Sequence, residues 1–70
     1  MNKLMILAIL VAYKAFNDKS LTISTNEYLV DGANIDSIDG DNINVTAWSN
    51  IGIYSATINI NDIVGIQFQN

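Results

Sequence analysis

Ten unbroken apolar residues, LMILAILVAY from Leu4 to Tyr13, lie between Lys3 and Lys14. A stretch of that kind must be taken out of water, and in a chain of 70 residues there is little else to cover it. A domain this small buries only about 60% of the surface its unfolded chain exposes, so one core is marginal. Small scaffolds therefore add disulfides, a metal or oligomerisation. Cys and His are both absent, which removes disulfides and the strongest zinc ligands. Burial against other molecules is the remaining route.

The charge is distributed to match. Lys3, Lys14 and Lys19 are the only cationic side chains, and six of the seven carboxylates fall between Ser20 and Asn70. Two parts follow: an apolar, mildly positive segment over residues 1–18, and an acidic domain over residues 19–70. Nucleic-acid binding requires cations that displace counterions from phosphate, so the absence of Lys and Arg from Ser20 onward makes nucleic acid an unexpected partner.

Met, Leu and Ala favour a helix over Met1 to Phe16, with no Gly or Pro to break it. Asn17-Asp18 is a plausible stop, and Lys14 and Lys19 sit near the negative end of the helix dipole. The middle of this helix is apolar on every side, which predicts burial on every side. Three roles are open. As a secretory signal it lacks a small-x-small cleavage pattern at Ala12 to Ala15, so cleavage is not expected. As a membrane span it is short, since thirteen residues from Leu4 to Phe16 give about 20 Å of helix. As an assembly element it packs on the β body or bundles with copies of itself. The expected anchor residues are Leu4, Ile6, Leu7, Ile9, Leu10, Val11, Tyr13 and Phe16. At ~25 cal/mol per Å² of apolar surface, covering them supplies on the order of 10 kcal/mol before ordering costs.

From Leu21 the pattern has period two, the signature of half-exposed strands. Leu21 and Ile23 alternate with Thr22 and Ser24. Tyr28-Leu29-Val30 ends at Asp31-Gly32, a turn signal, and Asp39-Gly40-Asp41-Asn42 is the clearest hairpin turn. Ile43, Val45 and Ala47 then share one face, which places Trp48 on the other. Ser49 to Gly52 reads as a connection and Ala56, Ile58 and Ile60 as another inward set. Asn61-Asp62 caps one helical turn before a last strand through Val64, Ile66 and Phe68. Five or six short strands with turns every 8–12 residues predict a small antiparallel barrel or sandwich of about five strands, an α+β fold once the helix is included.

The run IDSIDGDNINVTAW followed by SATININDIVGIQF resembles the Src-homology-3-type and Sm-like small barrels over residues 21–70. The resemblance implies a central hairpin from Ile38 to Val45 and a short turn at Asn61-Asp62-Ile63. It also implies a module that binds RNA, peptides or other subunits. Apolar helix followed by small β domain is likewise similar to minor membrane- or capsid-associated proteins of phages, and to pilin-type filament subunits. The acidic residue that pilins carry early in the helix is missing from Leu4 to Tyr13.

Without His or Cys the usual general bases and nucleophiles are gone, and no catalytic residue, cofactor or metal is expected. Asp36, Asp39 and Asp41 lie within six residues, where turn chemistry competes with acid–base work or a hard-cation site. Their spacing does not match the Asp-x-Asp-x-Asp-Gly loop. Asn44-Val45-Thr46 is a glycosylation pattern placed mid-strand. Trp48 is the candidate contact for a partner, or else a cap on the core.

The expectation is a non-enzymatic structural protein. Its most concrete form is a minor virion component of a phage, membrane-associated, anchored by its helix and touching capsid or other subunits through its β domain. The alternatives are a homo-oligomeric Sm-like module for a protein or peptide, in a bacterial membrane or cytoplasm, and a pilin-type subunit.

Overall fold

The computed structural model describes residues 3–16 and 20–68 and, within the helix, the side chains of residues 3–13. Helix α1 spans Lys3–Phe16, within the segment that composition predicts. Five strands follow: β1 Leu21–Thr25, β2 Leu29–Asp39, β3 Asn42–Ser49, β4 Gly52–Asn59 and β5 Ile63–Phe68. A single 3-10 turn, Ile60–Asp62, joins β4 to β5. The Asn59 side chain caps it by accepting from the Asn61 N–H at 2.9 Å. All neighbouring strands are antiparallel, in the order β4-β3-β2-β1-β5.

The α+β class stands, but the expected barrel is corrected to an open sheet. Closure requires the two edge strands to hydrogen-bond, and β4 and β5 lie at opposite ends of the order. The helix does what closure would have done. Ile6, Leu10 and Tyr13, spaced as one helical stripe, join the core with the inward residues of the sheet, among them Leu21, Ile23, Ile35, Ile43 and Val45. The tyrosine hydroxyl, which an apolar core would leave unsatisfied, donates to Asn34 Oδ1 at 3.1 Å. Its ring lies 5.9 Å from that of Phe68.

Two glycines shape β2 and its end. Gly40 has φ +57 and, with Asp41, makes the two-residue turn between Asp39 and Asn42, inside the expected hairpin. Gly32, with φ +63, was expected to end a strand and instead lies inside β2. Its left-handed backbone serves a bulge: the β1–β2 register shifts between Leu21 and Ile23, and Asp31 Oδ1 accepts from the Gly32 N–H. A second shift falls between Ile35 and Ser37 against β3. Bulges bend and twist a strand, which lets an eleven-residue β2 pair with β1 at one end and β3 at the other.

Candidate functional site

The residues of the helix divide sharply between two sides. Ile6, Leu10 and Tyr13 are buried in the chain's own core, and Leu7 packs against it. Ile9 is half-buried at the margin. Opposite them, Leu4 is 74% exposed and Val11 54% exposed, with Met5, Ala8 and Ala12 exposed on the same side. Burial on every side is therefore corrected: an outer stripe of Leu4, Met5, Ala8, Val11 and Ala12 faces away from the core. A helix resting on a sheet can hide only one side, whatever its composition. The Phe16 side chain lies outside the described residues.

Met5, Ala8 and Ala12 were not singled out from the sequence. The signal that finds them is helical spacing, once Ile6, Leu10 and Tyr13 fix the inward direction. No helix among the described residues is long and apolar enough to cross a membrane. Fourteen residues span about 21 Å against a hydrocarbon thickness of about 30 Å.

The second surface is the tip of the β3–β4 hairpin. Trp48 is 62% exposed and pairs directly with Ile53 on the outward face, and Ile51 in the turn is 99% exposed. Alternation along β3 dictates this, since Ile43, Val45 and Ala47 take the inward positions. Trp48 thus lies outward, and it does not cap the core. A Cβ added at Gly32 would sit 4.0 Å from the Trp48 Cβ, so the bulge runs close to the base of that side chain.

The three clustered aspartates do not converge. Asp36 accepts from Thr46 Oγ1 at 2.6 Å and Asp39 accepts from Asn44 Nδ2 at 3.3 Å. Asp41 pairs with Lys3 Nζ at 2.8 Å. That ammonium holds the Asp41 carboxyl below its ordinary value by hydrogen bond and charge. Among the described residues no cluster of His, Cys, Asp or Glu is placed to hold a metal ion. Asn44 of the glycosylation pattern is engaged too, donating to Ser37 Oγ and accepting from Thr57 Oγ1. Together these side chains form a polar ladder across the outer faces of β2, β3 and β4.

One cleft, lined by Thr25, Asn26, Glu27, Tyr28 and Asp62, has a volume of about 100 Å³. Pockets for small organic ligands run about 300–1,000 Å³, so this cleft does not qualify as one. Among the described residues the arrangement offers apolar surface in two places, on α1 and at the β3–β4 tip. Compared with protein families, with curated proteins and with solved structures, the chain matches none.

Proposed function

We propose that this chain is a non-enzymatic assembly subunit, held to other protein subunits through the outer stripe of α1. The observation that carries this reading is the exposure of Leu4, Met5 and Val11 on the one helix that also closes the core. Single exposed apolar residues are ordinary, but a continuous stripe of them marks a contact surface. Ala8 and Ala12 lie among the larger side chains and allow close approach of a partner.

Protein is favoured over lipid as the covering. The inner side of the helix is occupied by its own sheet, so lipid cannot surround it while the fold persists. The narrower setting, a minor component of a virion, rests on the layout of the sequence.

Val11→Asp tests the reading. Because Val11 is outside the core, the variant should keep native circular dichroism while losing co-assembly with its native partners. Unchanged assembly would overturn the proposal. Loss of binding to anionic vesicles, with protein assembly untouched, would replace it with a lipid-contact role.

A further inference from the structure

Strand β4 has a property independent of the helix. It forms one edge of the sheet, and all its residues pair with β3 without a register shift, from Asn42↔Asn59 to Ser49↔Gly52. Its sequence, GIYSATIN, contains no charge and no proline. Natural edge strands are normally blunted by charge, proline, bulges or short length, because their open amide groups template further pairing. β4 has none of these devices. The opposite edge, β5, is shorter and carries a register irregularity against β1.

The direction of the open groups follows from the ladder. Ile60 N–H donates to Asp41 O at 2.8 Å. Antiparallel alternation then commits Ile58, Ala56 and Tyr54 to β3 and turns the N–H and C=O groups of Ile53, Ser55 and Thr57 outward. Such a row of amides is complementary to another extended strand.

We infer that β4 pairs with β4 of a second copy, antiparallel, about a twofold axis at Ser55. That register sets Ser55 against Ser55, Ile53 against Thr57 and Tyr54 against Ala56. The open groups of the three central residues then form about six backbone hydrogen bonds. The side chains suit their own mirror: two β-branched residues meet on the outer face, and a large ring meets a methyl on the inner. Charge selects the antiparallel sense. Asp62 flanks the Asn59 end, beside the Lys3–Asp41 ion pair, and an antiparallel partner keeps the two acidic ends about 27 Å apart along an eight-residue strand. A parallel partner would bring them together. β4 itself carries no charge with which to select a foreign peptide.

The test uses the full chain. Sedimentation equilibrium from about 10 μM to 1 mM, the affinity range of small interfaces, should show the mass rising toward twice 7.7 kDa. Ser55→Lys opposes two ammonium groups on the axis and should hold the chain at monomer mass throughout, with unchanged circular dichroism because Ser55 is exposed. The chain has no native Cys, so Ser55→Cys reports the register directly. Oxidation should link it as a disulfide dimer. Thr57→Cys should not link, because its mate lies four residues along, about 14 Å away. Three results would each overturn the inference: a wild-type monomer at every concentration, a dimer that survives Ser55→Lys, or equal linking of the two cysteine variants. A dimer lost in Val11→Asp but not in Ser55→Lys would assign association to the helix alone.

Discussion

Leu10 and Val11 are adjacent, both aliphatic, and both part of the same uninterrupted apolar run. Leu10 is fully buried and Val11 is mostly exposed. A turn of about 100° per residue separates a side chain that stabilises this fold from one that the monomer leaves in water. Hydrophobicity therefore does not report what a residue is buried against. One side of this helix serves the chain's own core, and the other side is exposed.

The sharpest way to break that contrast is to truncate both residues. Leu10→Ala should cost about 2–5 kcal/mol by chemical denaturation, because it empties a packed site. That is a large share of the ~5–15 kcal/mol stability of ordinary domains. Val11→Ala should stay within about 0.5 kcal/mol in the monomer. Equal losses at the two positions would dissolve the distinction between the faces.

A smaller effect is expected where the inner face is polar. Tyr13→Phe removes the hydrogen bond to Asn34 and keeps the ring against Phe68. A loss of about 1 kcal/mol in thermal or denaturant melts is expected. Tyr13→Ala should cost several-fold more, since it also empties the packing.

The smallest effect concerns the tether at the start of the helix. Lys3 and Asp41 are each roughly half exposed, so their ion pair contributes little. Its sign is nevertheless defined. The Asp41 carboxyl is held below its ordinary value in the folded chain. The pair's contribution is therefore present above the ordinary carboxylate value of 3.8 and fades as pH falls through the lowered folded value. Stability of the wild type and of Asp41→Asn should converge in acid and separate slightly at neutral pH. A gap that widens on acidification would contradict the assignment.

Parts of this architecture are legible residue by residue. The change from an all-apolar run to period-two alternation at Leu21 marks where helix gives way to sheet. Asp39 to Asn42 carries its turn in its own chemistry, because Gly40 takes a positive φ there without strain. Trp48 is placed outward by simple alternation from Ile43, Val45 and Ala47. Gly32 is not legible in the same way. Asp-Gly suits a turn and a bulge equally, and only the pairing of β2 with both β1 and β3 decides between them.

The sequence by itself determined the helix and most of the strands, though not the continuity of β2 through Gly32, since backbone preference and the spacing of apolar residues act over a few positions. It also determined that the chain has more oily surface than its small polar body can hide. Tertiary structure decided the rest. A helix apolar on all sides has no preferred inward face until a sheet presents one, and the open sheet gave Ile6, Leu10 and Tyr13 that place. The same docking decided that Leu4 and Val11 look outward, and the long-range pairing of the strands left β4 and β5 as the two edges. These outcomes depend on contacts between residues far apart in the chain, which no local pattern encodes.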